Sequence, residues 1–95
     1  MQDDAFEWDD AKAARNRLRH RISFEMAREV FKDQFAVEWS DDSQDVAEDR
    51  FILLGRAENR LLFESYTLRG ARIRIISARL AELFERRRYH NEDQT

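Results

Sequence analysis

Three β-rich runs in the second half of the chain, Arg50–Arg56, Arg60–Thr67 and Arg72–Ala78, are separated by connections of only a few residues. Connections that short cannot return the chain to start a parallel neighbour, so the runs are predicted to pair antiparallel as a meander. Ala57-Glu58-Asn59 makes the first turn, and Arg69-Gly70 supplies the second with a glycine suited to positive φ. Ahead of the meander, apolar residues recur mostly at helical spacing. Asp9 suits an N-cap, and from Asp10 to about His20 the residues Ala11, Ala14 and Leu18 form the expected buried stripe. Ser23 suits a second N-cap, with Ile22 placed to staple onto Ala27, and Phe24, Ala27, Val30 and Phe31 form one apolar face as far as Lys32. Ala5–Trp8 and Phe35–Trp39 read as short strands, and residues 40–49 as an exposed acidic loop. Arg79–Arg88 reads as a closing helix with Leu80, Leu83 and Phe84 on the sheet, and residues 91–95 as a frayed tail. The expectation is one α+β domain: two N-terminal helices and a C-terminal helix packed on an antiparallel sheet.

Charge is distributed unevenly along this pattern. Residues 1–49 hold 14 acids against 7 Lys and Arg, whereas residues 50–95 hold 6 acids against 10 arginines. Arginine outnumbers lysine 15 to 2. Solubility does not require that bias, and arginine is preferred where a planar fork must grip phosphate or carboxylate. A GC-rich genome would give the same ratio, so position has to decide. No apolar run approaches the ~18 residues of a membrane span, and no signal-peptide pattern opens the chain. Without cysteine there is no disulfide framework and no thiolate zinc site, and a reducing cytosol is the simplest setting.

The third β run concentrates the chemistry. Its period of two puts Ile73, Ile75 and Ser77 on one face, and Arg72 and Arg74 on the other with Ile76 and Ala78. Two arginines two residues apart lie roughly 7 Å from each other, close to the spacing of successive phosphates. Arg79 falls at the expected strand-to-helix junction, near helix N-terminal amides that favour anions. The plainer reading pairs Arg72 and Arg74 with Glu64 or Glu58 across the hairpin. Lys12, Arg15 and Arg19 recur on one flank of the first helix, where a solvated surface is the plainer reading. His20 ends that helix beside Arg19 and Arg21 as a candidate general base, although a lone histidine there more often serves as a cap. His20 and His90 have no carboxylates at metal-ligand spacing, and there is no P-loop, GxGxxG or nucleophile elbow.

Taken together, Phe6-x-Trp8-Asp9, Lys12-Ala13, Asn16, Arg19-His20, Ile22-Ser23-Phe24-Glu25, Val30-Phe31-x-Asp33, Arg50, Gly55 and Thr67-x-Arg69 resemble the BrnT toxin family. Arg74-Ile75-Ile76-Ser77-Ala78-Arg79 followed by Glu85-Arg86-x-x-Tyr89 is the most specific stretch. The similarity runs from about residue 6 to residue 89. It implies a RelE-like fold and a ribonuclease toxin of a bacterial type II toxin–antitoxin pair. It also implies a partner resembling BrnA, a dimeric ribbon-helix-helix protein that neutralises the toxin and carries the pair to operator DNA. The family usually has glycine where this chain has Arg21, and often Asp-Pro where it has Asp33-Gln34.

Metal-independent RNA cleavage needs a 2′-hydroxyl in line with the phosphate, cations for the developing charge, and a proton carrier. With no cofactor expected, Arg79 and Arg74 are assigned the cationic role, and His20 or Lys12 the proton transfer. Arg50, Arg72, Arg69 and Arg19 are expected to hold the RNA backbone, and Trp8 or Tyr89 to stack a base or to belong to the core. The rival readings are a non-enzymatic domain that grips an acidic protein and a small DNA-binding module, the latter disfavoured by the acidic first half.

Overall fold

A computed structural model of the chain describes residues 1–42 and 48–91. The central part of the expected acidic loop (43–47) and most of the expected tail (92–95) lie outside the described residues. In chain order the elements are β1 (Phe6–Glu7), α1 (Asp10–His20), α2 (Phe24–Glu29), a 3₁₀ turn (Val30–Lys32), β2 (Val37–Ser40), β3 (Phe51–Ala57), β4 (Arg60–Arg69), β5 (Arg72–Leu80) and α3 (Leu83–Tyr89). The sheet order is β1-β5-β4-β3-β2. From β2 to β5 every pairing is antiparallel, so the meander forms as expected. The sheet as a whole is mixed rather than antiparallel, because β1 joins β5 in parallel through Phe6↔Ile73 and Glu7↔Arg74. The helices carry the chain from β1 to β2 at the opposite edge, and the meander returns it strand by strand to β5 beside β1.

Both N-caps form: Asp9 accepts from Lys12 N at 2.9 Å, and Ser23 Oγ from Met26 N at 3.1 Å. Arg21 takes φ 60 and donates its N–H to the Arg17 carbonyl. The helix therefore ends where a glycine would end it, at a strain of about 1–2 kcal/mol. On the helix-covered face of the sheet, Ile22, Phe24, Ala27 and Val30 meet Leu53, Ala57, Leu62, Tyr66, Ile75 and Ala78 in one buried cluster. Gly55 lets this layer close up, since a Cβ there would lie 2.8 Å from Val30 Cγ1.

Three expectations are corrected. Ala11, Ala14 and Leu18 are exposed, Leu18 by 85%, and the residue that α1 buries is Asn16. Its side-chain amide donates to the Ala78 carbonyl at 2.8 Å and to the Ile22 carbonyl at 3.0 Å, and its Oδ1 accepts from Ala78 N at 3.1 Å. Asn16 thus stands in for a missing neighbour strand at the edge of β5, so a polar residue directs this helix inward. Phe35 is exposed and β2 starts later, because Asp33 accepts from Phe35 N and Ala36 N in a turn. The third concerns the closing helix, which starts at Leu83 and not Arg79, since β5 continues through Phe63↔Arg79 and Leu62↔Leu80. Leu80, Leu83 and Phe84 are exposed rather than on the sheet, and α3 turns Glu85 inward.

Candidate functional site

The face of the sheet away from α1 and α2 collects the arginines, and a β-bulge makes that possible. Ser65 pairs with Ser77 but Tyr66 pairs with Ile75, leaving Ile76 as an extra residue in β5. Strict alternation would put Arg79 opposite Arg72 and Arg74. After the bulge, parity reverses: Ala78 enters the core while Ser77 and Arg79 join Arg72 and Arg74. Their cross-strand partners Phe63, Ser65, Thr67 and Arg69 lie on that same face of β4.

Most of these cations already have partners. Arg79 holds Glu85 with both terminal nitrogens, at 2.8 and 2.9 Å, and stacks 4.1 Å over the Phe63 ring. The Glu85 hydrogen bond raises the Arg79 pKa further, so it is a permanent cation. Glu85 also accepts from Glu82 N at 2.8 Å in a capping box, so an internal carboxylate occupies the place where an anion was expected. Arg74 pairs with Glu7 at 2.8 Å, and Arg72 Nε donates to the Asp3 carbonyl at 2.7 Å, in place of the expected pairing with Glu64 or Glu58. Arg69 lies 3.6 Å from Glu48. Arg50 borders a polar pocket with Ser40, Asp41, Asp42, Glu48 and Asp49, and its buried Nε has no hydrogen-bond partner among the described residues.

A groove of about 570 Å³ runs between α1 and the bulged edge of β5. Lys12, Arg15, Arg19 and His20 line it from the helix, with Asn16 at its floor, and Ile76 and Ser77 line it from the strand. It brings together Lys12, Arg19 and His20 from the sequence reading and leaves Arg74 and Arg79 outside its lining. Arg15 joins them, as the Lys12, Arg15, Arg19 spacing on one flank of the helix allows. The positioning role of Asn16 is not legible in the sequence, because its partner Ala78 is 62 residues away. The groove and the arginine face meet along β5, where Ser77 lies two residues before Arg79, roughly 7 Å along the strand.

The two aromatic candidates are structural. Trp8 is buried and packs edge-on against Phe24, and the Tyr89 hydroxyl donates to Asp33 at 2.7 Å. Burial opposes ionisation of Asp33, yet hydrogen bonds from Tyr89, Arg56 N and Phe35 N hold its pKa below the usual carboxylate range. Among the described residues no three His, Cys, Asp or Glu side chains cluster as metal ligands, and no helix is long and apolar enough to cross a membrane.

No curated protein matches the chain. Residues 8–85, from the core tryptophan through α1, the groove and the bulged strand to Glu85, match the family model described as the ribonuclease toxin, BrnT, of type II toxin–antitoxin systems. The chain belongs to the BrnT family of type II toxin–antitoxin ribonuclease toxins.

Proposed function

We propose that this chain is a metal-independent endoribonuclease whose cleavage site is the α1–β5 groove. The observation that carries the reading is the convergence of Lys12, Arg15, Arg19 and His20 against the bulged edge of one strand. His20 removes the proton as the ribose 2′-oxygen attacks the adjacent phosphorus, and the 5′-oxygen of the next nucleotide departs. Lys12 delivers a proton to that departing oxygen, leaving a 2′,3′-cyclic phosphate, and before the transfer its charge offsets the charge developing on the phosphoryl oxygens. Arg15 and Arg19 grip the flanking phosphates. Arg74 and Arg79 add positive potential from the neighbouring face of β5, with Arg50, Arg69 and Arg72 guiding the backbone. RNA loss then limits translation in the cytoplasm. The neutralising partner is a BrnA-like ribbon-helix-helix protein, through which alone the toxin reaches operator DNA, on a RelE-like scaffold.

A second reading has a specific observation in its favour. Arg79 and Arg74 are already neutralised by Glu85 and Glu7, as expected of arginines that brace a fold. On that reading the chain grips an acidic protein and cuts nothing. Cleavage by purified protein, with and without ribosomes, separates the two. His20→Ala and Lys12→Ala should each slow cleavage by about 10²–10³-fold with unchanged melting curves. Arg79→Lys should rescue Arg79→Ala poorly, because a point charge cannot reproduce the two-point grip of the fork on Glu85. Wild-type rates in His20→Ala and Lys12→Ala would move the chemistry out of the groove, and an inert wild type would favour the interaction domain.

A further inference from the structure

The arginine face carries a feature that cleavage in the groove does not use. Arg88 of α3 lies 3.9 Å over the ring of Trp39 in β2. Trp39 meets Phe63 of β4 edge-on at 6.0 Å, and Phe63 carries the Arg79 guanidinium at 4.1 Å. Cation, ring, ring and cation therefore form one ladder across the sheet, and its two aromatic members are only half-buried. Register explains the arrangement. Leu54↔Phe63 and Val37↔Leu54 put Phe63 and the odd-numbered positions of β2 on one face, and the bulge adds Arg79.

The ends of the ladder differ. The fork of Arg79 is spent on Glu85, so at that end the ladder is anchored. Arg88 is exposed and, among the described residues, has no carboxylate partner; Trp39 alone holds its plane. An arginine so held presents a second stacking plane and an edge of N–H donors to solvent, without having to order its side chain on binding. Aromatic rings and guanidinium planes are the surfaces on which unpaired bases stack, and the N–H edges suit the phosphates between them. A duplex hides its base faces and cannot use such a surface.

We propose that the Arg88–Trp39–Phe63–Arg79 ladder is a stacking platform for single-stranded RNA, receiving bases that flank the nucleotide held in the groove. The platform rests on the ribonuclease reading for its ligand and extends it: the strand leaves the groove at Ser77, crosses the edge of β5 and continues over the arginine face. It makes the enzyme selective for unpaired RNA.

The chain's two tryptophans allow a direct test, because Trp8 is buried in the core while Trp39 is in the ladder. The probe is a single-stranded oligoribonucleotide with 2′-O-methyl riboses, which lacks the attacking hydroxyl and stays intact. It should quench the emission of the wild type, and Trp39→Phe should remove the quenching while leaving the Trp8 signal. Arg88→Ala should weaken binding of the same strand, read by fluorescence anisotropy, by roughly 5- to 100-fold, with thermal melts verifying both folds. A duplex of the same sequence should bind weakly and quench nothing. Binding or cleavage of RNA by the wild type without Trp39 quenching, or unchanged affinity in Arg88→Ala, overturns the platform and leaves the ribonuclease reading standing. Quenching by the antitoxin but not by RNA gives the face to the protein partner and also overturns it. A wild type that neither binds nor cuts RNA brings down both readings together.

Discussion

Glu64 and Glu85 are both buried carboxylates, 0% and 3% exposed, on opposite faces of the same fold. Glu85 meets the Arg79 fork and a backbone N–H, so its charge is compensated on every side. Glu64 sits on β4 between Leu53 and Ala78, beneath the helices, and among the described residues neither of its oxygens has a hydrogen-bond partner. Burial alone pushes its pKa from 4.5 up to about 9. The contrast teaches that arginine supply does not decide which carboxylate is paired. The bulge at Ile76 puts Arg79 on the far face beside Arg72 and Arg74, and Glu64 is left on the near one. One face holds compensated charge at the surface, and the other holds a neutral acid in an apolar core.

The largest expected effect tests the uncompensated half of that contrast. Below about pH 4.5 Glu64 is protonated in both the folded and the unfolded chain. Between that value and about 9 the unfolded chain gives up the proton and the folded chain keeps it. Folding stability should therefore fall as pH rises, by roughly 1.4 kcal/mol per unit, or about 4 kcal/mol from pH 5 to pH 8. Glu64→Met should abolish this slope and be the more stable protein at pH 8. Urea denaturation of both proteins across that range measures the difference, and parallel profiles would show that Glu64 ionises freely in the folded state.

The compensated half predicts a smaller loss of the opposite kind. Glu85→Ala strips Arg79 of its fork partner and α3 of its capping box, and should cost about 2–3 kcal/mol at neutral pH. If its unfolding midpoint matched the wild type, the bidentate contact would contribute nothing to folding. Arg74 and Glu7 are an intermediate case, 21% and 14% exposed in their side chains. Glu7→Ala should cost about 1 kcal/mol, and a loss as large as that of Glu85→Ala would mean that burial, not bidentate geometry, sets the scale. The smallest effect is a gain: Arg21→Gly should relieve the positive φ at the end of α1 and stabilise by up to about 1 kcal/mol.

Elements whose signals are local were legible in the sequence. Asp9 and Ser23 cap helices because a short side-chain oxygen reaches an amide three residues on, whatever the fold around it. The β-rich runs from Arg50 to Ala78 pair as a meander because their turns are too short for anything else. The stripe Ala11, Ala14, Leu18 misled because helical spacing gives the face but not its direction, and Asn16 turned the other side inward with hydrogen bonds to Ala78. Leu80, Leu83 and Phe84 misled because β5 kept pairing with β4 for two residues more than its own composition suggested.

The sequence by itself determined the strand and helix succession, the caps, the excess of arginine in the second half and the motifs that belong to the BrnT family. Only the tertiary structure decided which arginines share a face, which carboxylates hold them, and that Lys12, Arg15, Arg19 and His20 close a groove against β5. The physical reason is range. Caps and turns act within about four residues, so they are written where they act. A bulge is the outcome of pairing between two strands, and contacts such as Arg74 with Glu7, 67 residues apart, exist only once the chain has folded.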